Sequence, residues 1–275
     1  IGFLLIGALV VLVLLGMQIA YALFGVAFVG IWIIRHNLDL AFRMLELTVY
    51  SGIADYLFAT IPLFVLMGLL VSVSNVGRDT FEVAEELLRR MICGLGVATV
   101  AANTVFAAVT GVSIASAAVF SRVAVPEMTR HGYRPSFSAG TVAGSSVLGM
   151  LIPPSLLLII YGVLAEVSIG GMFIAGILPG LMLAGGFVAM LVTVTILFPG
   201  FVLTNPDATR QRRLDTSAAR MPLRRMIAKL IPIIALVILV LGGLYSGFFT
   251  PTEAGAVGAF GALLVAISRR SLDRH

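Results

Sequence analysis

Two adjacent prolines, Pro153 and Pro154, lie inside an apolar run that is long enough to cross a bilayer. Neither proline has a backbone N–H, and each disfavours the helical conformation of the residue before it. The run is therefore predicted to form a helix that breaks here and leaves several carbonyl groups without helical partners. Inside a bilayer such groups are tolerated only where protein covers them or where they line a cavity. A single proline usually makes a simple kink, but this pair beside Gly149 and Ser155 favours a binding site.

The composition indicates a membrane protein. Hydrophobic residues make up 60% of the 275 residues, and charged residues make up only 11%, whereas charged residues are about 25% of a soluble domain. Because about 20 apolar residues span the hydrocarbon, the chain has room for about seven to nine membrane segments. The single cysteine, Cys93, lies in an apolar context, so we expect a small buried side chain and neither a disulfide framework nor a metal cluster.

The basic residues concentrate in one loop. Between Asn205 and Lys229, seven basic and two acidic residues give a net charge of +5, which equals that of the whole chain. The positive-inside rule places this loop in the cytoplasm, together with the basic turn Arg130–Arg134 and the pair Arg269–Arg270. The nearly uncharged turn Glu166–Ser168 then falls on the opposite side. Nucleic-acid binding is the competing interpretation of the loop, but apolar segments flank it and aromatic residues are few.

The charges also predict a hairpin. Residues 77–91 have an apolar stripe opposite a charged face, which predicts an amphipathic helix along the membrane surface. The apolar segment Gly94–Met128 begins after Arg89 and Arg90 and ends before Arg130, so both of its ends are expected on the cytoplasmic side. It is therefore predicted to be a re-entrant hairpin. Each arm reaches about 24 Å, which places the tip, Gly111–Ser116, near the middle of the membrane.

A series of short motifs covers essentially the whole chain, and their order and spacing resemble the large membrane subunit of TRAP (tripartite ATP-independent periplasmic) transporters. The motifs are Ala59–Phe64, Thr110–Ala115, Pro126–Met128 with Gly132–Tyr133, Gly149–Ser155 with Tyr161–Gly162, Ser168–Gly170, Ala175–Gly180 and Thr250–Ala254.

The resemblance implies an all-α polytopic membrane protein with an ion-transporter-type fold. The re-entrant hairpin Gly94–Met128 and the broken transmembrane helix Phe137–Glu166 would form the first inverted repeat, followed by the start of the second. The expected divisions are transmembrane scaffold segments at residues 1–76, the surface helix at 77–91, transport elements at 92–170, and further transmembrane helices at 171–275 with a cytoplasmic loop at 199–229.

The resemblance also implies a function. It implies a sodium-coupled, elevator-type secondary transporter of the bacterial inner membrane that imports carboxylate-bearing solutes such as dicarboxylates or sugar acids. The implied partners are a periplasmic solute-binding protein and a small membrane subunit, and neither nucleic acid nor any cofactor besides sodium is expected. Two features depart from the family: Val112 follows Gly111 where a second small residue is more usual, and no second hairpin follows Glu253. The chain is therefore expected to be a truncated or split product.

The hairpin tip and the helix break supply the candidate site residues. Sodium is a hard cation that prefers about five or six oxygens, and unwound carbonyls and hydroxyls can provide these without a buried counter-charge. The half-helix that starts at Ser155 directs its positive end at the same cavity, so Ser155 and Pro154 are predicted to bind a substrate carboxylate. Helix packing is the simpler explanation of the serines. The predicted sodium ligands are Gly111, Val112, Ser113, Ser116, Gly149, Ile152 and Pro153.

Two other functions compete with transport. An intramembrane serine hydrolase would need a Gly-x-Ser-x-Gly elbow or a histidine in a membrane segment, and the sequence has neither. No catalytic residue is therefore predicted, and the chain is not expected to be an enzyme. A non-transporting membrane scaffold, or a split half that requires a partner chain, is the other alternative. Arg122 in the returning arm of the hairpin is a candidate functional residue, but extension of its side chain to the cytoplasmic surface is the slightly favoured interpretation.

Overall fold

The computed structural model describes residues 2–54, 56–204 and 221–269, and these residues are almost entirely helical. The prediction of an all-α protein is confirmed for them, since an isolated bridge between Tyr133 and Leu203 is their only β pairing. Short 3₁₀-helices occupy Tyr56–Ala59 and Val147–Met150, and a π-helix occupies Ile238–Gly242. The α-helices are α1 Gly2–Leu14, α2 Ile19–Arg35, α3 Leu38–Ala54, α4 Thr60–Val73, α5 Val76–Leu88, α6 Gly94–Thr110, α7 Ser113–Arg130, α8 Pro135–Ser146, α9 Leu156–Leu164, α10 Ile169–Leu197, α11 Pro199–Val202, α12 Leu223–Val237, α13 Gly243–Tyr245 and α14 Pro251–Ser268.

Several helical segments suit a bilayer by length and composition. Four of them are long and apolar enough to span it: Tyr56–Val73, Ile169–Leu197, Leu223–Tyr245 and Pro251–Ser268. Three shorter helices, α1, α2 and α6, are also apolar. The 29 residues of α10 give a length of about 43 Å, which exceeds the hydrocarbon thickness of about 30 Å. The turns at the two ends of α10 therefore lie far apart.

The chain divides into two compact units, Ile1–Tyr56 and Leu57–His275. In the first unit, a methyl group of Leu5 on α1 occupies the space beside Gly30 on α2 where a larger residue would place its side chain. The aromatic rings of Phe28 on α2 and Phe42 on α3 lie with centroids 4.8 Å apart. These contacts join α1, α2 and α3 into a small helical group.

In the second unit, α6 is the central helix. Its glycine, alanine, valine and threonine residues are small enough for neighbouring helices to approach closely, and most of its side chains are buried. The rings of Phe106 on α6 and Phe120 on α7 meet edge to face, with centroids 5.5 Å apart. On another side of the unit, α4 packs against α14, where the buried hydroxyls of Thr60 and Thr252 are 2.7 Å apart.

The amphipathic helix α5 brings charged groups from distant parts of the chain together. The carboxylate of Asp79 pairs with Lys229 on α12 at 3.2 Å and with Arg269 at the end of α14, and Glu82 also pairs with Lys229. The helix ends at Leu88 rather than at the expected Met91, because the chain turns there to enter α6, with Cys93 in the left-handed conformation. Near the basic turn, the Thr204 N–H donates to the Gly132 carbonyl at 2.9 Å.

We expect Asp79→Asn to lower the thermal unfolding midpoint of the purified protein in detergent at low ionic strength. Asp79 is mostly buried and has two cationic partners, so the free energy of unfolding should fall by about 1–3 kcal/mol. Glu46→Gln is the control, because Glu46 is exposed on α3 and has no ion pair among the described residues. Equal midpoints for the two variants would show that the cluster does not hold α5 in place.

Candidate functional site

The first irregular segment is the turn between α6 and α7. Gly111 ends α6 with φ +62°, and its N–H donates to the Ala107 carbonyl at 3.1 Å. Val112 is extended, and α7 begins at Ser113. A positive φ favours glycine, which has no Cβ to clash with the backbone in this conformation. The two helices with this tight turn form the hairpin that the sequence predicts; its position relative to a bilayer stays a prediction.

The second irregular segment separates α8 from α9. It follows the 3₁₀-helix Val147–Met150 and contains the peptide bond between Pro153 and Pro154, which is cis. Ser155 then caps α9: its hydroxyl accepts from the Leu158 N–H at 3.5 Å and donates to the Met150 carbonyl at 2.5 Å. The predicted break in this helix is therefore present, with a side-chain cap at the start of its second half.

The two irregular segments meet. The Leu156 N–H at the start of α9 donates to the Gly111 carbonyl at 3.1 Å. A Cβ on Gly111 would overlap the Pro154 carbonyl oxygen, and a Cβ on Gly149 would lie 3.2 Å from the Ser113 nitrogen. The predicted contact between the hairpin tip and the helix break is thus confirmed, although about 40 residues separate them in the sequence.

Helix α10 closes another side of the break. A Cβ on Gly176 would lie 2.8 Å from the Leu151 carbonyl oxygen, and a Cβ on Gly180 would lie 2.8 Å from the Ile152 side chain. These two glycines are four residues apart and therefore share one face of α10. The break therefore fits between the hairpin turn and a face of α10 that carries no side chain at these two positions.

Four carbonyl groups at the break lack a backbone donor. Among the described residues, no backbone N–H donates to the carbonyl of Leu151, Ile152, Pro153 or Pro154. The first turn of α9 is more fully engaged, since the Leu156 N–H binds Gly111 and the Leu158 N–H binds Ser155. The site therefore has more oxygens to offer a cation than N–H groups to offer an anion.

A buried polar network next to the turn includes a residue that the sequence analysis missed. Asn103 lies on α6 with no exposed surface; it accepts from the Ser116 hydroxyl on α7 and donates to the Ser145 hydroxyl on α8 at 2.5 Å. Ser145 in turn donates to the Thr141 carbonyl at 2.7 Å. A lone side-chain amide inside the apolar segment Gly94–Val109 was the available signal, because buried polar groups need partners.

The structure brings most of the predicted site residues together. Val112 and Ser113 lie beside Gly149, and Gly111 lies beside Pro154 and Ser155. Ser116 lies one turn further along α7, where its hydroxyl donates to Asn103. Sodium binding and substrate binding by these residues stay predictions. The predicted residues that line the break itself are Ile152, Pro153, Pro154 and Ser155.

A separate cluster of ionisable groups joins α5 to the end of α7. One oxygen each of Glu85 and Glu127 and a ring nitrogen of His131 lie within 4.8 Å of one another. Glu127 also pairs with Arg130 at 3.6 Å and with His131 at 3.3 Å. Burial raises the pKa of the Glu85 carboxyl, the charge of Glu127 raises it further, and His131 opposes both effects. The pKa of Glu85 is raised overall, so burial and the neighbouring carboxylates outweigh the effect of His131.

Comparison with known proteins identifies the family. The family description "Tripartite ATP-independent periplasmic transporter, DctM component" matches residues 6–275. The chain belongs to this family. Together with its apolar helices, this makes it a multi-pass membrane protein, a large permease component of TRAP type. The family resemblance inferred from the sequence motifs is confirmed, and membership of a permease family agrees with the prediction that the chain is not an enzyme.

Three curated relatives illustrate the similarity. The chain is 34% identical over 82% of its length to the C4-dicarboxylate TRAP transporter large permease protein DctM of Pseudomonas aeruginosa. It is 30% identical over 95% of its length to the protein of the same name from Rhodobacter capsulatus. It is 29% identical over 91% of its length to the sialic acid TRAP transporter large permease protein SiaM of Vibrio cholerae. The matches cover 50%, 59% and 55% of these relatives, so the chain spans little more than half their length.

We expect Gly111→Ala to destabilise the purified protein and Gly185→Ala not to. Alanine at φ +62° costs about 1–2 kcal/mol, and its Cβ would also overlap the Pro154 carbonyl oxygen. Gly185 lies inside α10 with open space around it, so alanine there should be neutral or stabilise by about 0.5–1 kcal/mol. Thermal unfolding midpoints in detergent measure both effects, and equal midpoints would contradict the close contact at Gly111.

Proposed function

We propose that this chain forms the membrane permease part of a TRAP transporter that couples the uptake of a small carboxylate-bearing solute to sodium. The observation that carries the proposal is the meeting of the hairpin turn with the broken helix. Two backbone irregularities inside a membrane protein, in direct contact, are the arrangement from which transporters build ion and substrate sites. Family membership supports the same conclusion.

Sodium is the proposed coupling ion. The carbonyls of Leu151, Ile152, Pro153 and Pro154 accept no backbone hydrogen bond from the described residues, and this is the observation that supports a cation site. Neutral oxygens suit a monovalent ion, because they supply coordination without a buried negative charge. The Ser113 hydroxyl at the start of α7 and the Val112 carbonyl are the proposed ligands from the hairpin. Ser116 acts through Asn103, which holds α7 against α8.

The proposed solute is an anion with a carboxylate group. Two relatives are named for C4-dicarboxylate and one for sialic acid, and both kinds of solute carry carboxylates. The positive end of α9 at Ser155 favours a nearby carboxylate through the helix dipole. The proposed partners are a periplasmic solute-binding protein and a small membrane subunit, in the bacterial inner membrane. Transport is a property of that complete assembly.

The proposed mechanism is an elevator movement. In it, α4 and α14 belong to the fixed scaffold, and the hairpin, the broken helix and α10 move together as the transport body. Helix α5 connects α4 to α6 and is bound to α12 and α14 by the charges of Asp79, Lys229 and Arg269. This position suits an arm that stays with the scaffold while the hairpin moves.

We expect Pro153→Ala combined with Pro154→Ala, in the complete transporter, to lower sodium-dependent solute uptake by at least about tenfold, which corresponds to the loss of about 1.4 kcal/mol of ion binding. Alanines at both positions supply N–H groups and allow the helix to continue. The carbonyls at the break would then accept hydrogen bonds within the helix and would no longer be available to an ion. Pro232→Ala in α12 is the matched control, because that proline lies inside an uninterrupted helix.

Uptake into vesicles with and without a sodium gradient makes the measurement, and membrane insertion is checked by protease protection. Unchanged uptake with unchanged sodium dependence would contradict the ion site. A wild-type protein that inserts, assembles with its partners and transports nothing would favour a membrane scaffold over a permease.

We expect single cysteines introduced at Thr129 and Thr204 to react with an impermeant maleimide only from the cytoplasmic side, and one at Val167 only from the periplasmic side. The hydrogen bond between Gly132 and Thr204 joins the first two positions, and the length of α10 separates them from the third. The background carries Cys93→Ser. Labelling of Thr129→Cys from the same side as Val167→Cys would show that the hairpin crosses the membrane.

A further inference from the structure

A cavity of about 1030 Å³ lies between α4, α5 and α7. Its lining begins at Val112 in the hairpin turn and follows one face of α7 to Arg130, the last residue of that helix. The 18 residues of α7 correspond to about 27 Å along the helix axis. The cavity therefore connects the place where the two irregular segments meet with the charged end of the hairpin.

The lining changes character along α7. From Ile114 to Val119 the residues that face the cavity are apolar or small. Arg122 follows, and the charged residues Glu127 and Arg130 come after it. Along this helix Arg122 is thus the charged residue nearest the turn, about 15 Å from Val112. The Arg122 side chain is exposed, and the carboxylates of Glu82, Glu85 and Glu127 also line the cavity, so its field acts mainly on the apolar stretch between it and the turn.

Arg122 differs from the other arginines of the cavity in lacking a partner. Arg78 pairs with Glu82 at 3.3 Å, and Arg130 pairs with Glu127 at 3.6 Å. Within residues 2–54, 56–204 and 221–269, no carboxylate lies within ion-pair distance of Arg122. Glu85, which also lines the cavity, is grouped with Glu127 and His131 instead. Arg122 therefore keeps a guanidinium free for a bound anion.

We propose that this cavity is the passage along which the carboxylate solute moves between the hairpin turn and the cytoplasm, and that Arg122 is the residue that attracts the carboxylate into it. The fork of donors on a guanidinium matches the two oxygens of a carboxylate. The identity of the solute rests on the proposed function, whereas the attraction of anions by Arg122 follows from the cavity itself. The phosphate of an anionic lipid headgroup is the other source of the same chemistry.

The first experiment measures the charge preference of the cavity without any transport. A cysteine at Ala118, one helical turn from Arg122 and on the cavity wall, reacts with an anionic sulfonatoethyl or a cationic trimethylammonioethyl methanethiosulfonate in the Cys93→Ser background. We expect Arg122→Gln to lower the ratio of the anionic to the cationic rate by about fivefold at low salt, and Arg122→Lys to keep most of it. High ionic strength should reduce the effect.

Arg225→Gln is the matched control, because it removes the same charge from an exposed position on α12 outside the cavity. It should leave the ratio unchanged. If Arg122→Gln and Arg225→Gln behave alike, the local attraction of anions is wrong. If vesicles with anionic phosphatidylglycerol abolish the preference that wild-type protein shows in neutral phosphatidylcholine, a lipid headgroup occupies the cavity and the solute passage is wrong.

The second experiment uses the complete transporter with succinate and N-acetylneuraminic acid as probes. For any probe that the wild type takes up, Arg122→Gln should lower the uptake rate by about fivefold or more, and Arg225→Gln should not. Equal uptake by the two variants would overturn the passage while leaving the proposed function intact. Wild-type uptake of neither probe would count against the proposed solute class, and the cysteine reaction would still decide whether Arg122 attracts anions.

Discussion

The hydrogen bond from the Leu156 N–H to the Gly111 carbonyl joins two backbone breaks, and the rest of the second unit is arranged around it. In hydrocarbon, an unpaired backbone group costs several kcal/mol, so neither break is tolerable alone. Placed together, each break covers part of the other. Gly111 permits this because its φ is +62° and because the Pro154 carbonyl lies where a side chain would be. On α10, Gly176 and Gly180 allow the same close approach from another side.

Polar contacts set the register of the helices around this junction. Between membrane helices, apolar packing has little directional preference, because lipid tails are as apolar as leucine side chains. Asn103 supplies direction by bonding to Ser116 on α7 and to Ser145 on α8. Because the Ser145 hydroxyl donates to the Thr141 carbonyl, it must accept from the amide of Asn103. This order orients the amide, and the three helices are held with the hairpin turn beside the break.

Local backbone rules made the irregular parts of this fold predictable from the sequence. The adjacent prolines Pro153 and Pro154 indicated the broken helix, and the basic residues on both sides of the apolar segment Gly94–Met128 indicated the hairpin. The contact of Asp79 with Lys229 and Arg269 was not predictable, because it joins residues 150 and 190 positions apart. The role of Asn103 was not predictable either, because a single amide in an apolar helix does not show which residues it will bond to. Ion binding at the junction depends on where its oxygens lie in three dimensions, and the spacing of residues in the sequence does not specify those positions.

The four carbonyls from Leu151 to Pro154 link the proposed ion site to the stability of the fold. They accept no backbone hydrogen bond from the described residues, so an empty junction must leave them to water or to less favourable contacts. A sodium ion that binds them adds RT ln(1 + [Na⁺]/Kd) to the free energy of unfolding. Any movement that separates α9 from the hairpin turn would disrupt the bond between Leu156 and Gly111 and the proposed ligand set together. The junction is therefore expected to move as one body, and an elevator movement preserves it whereas a hinge between the two breaks would not.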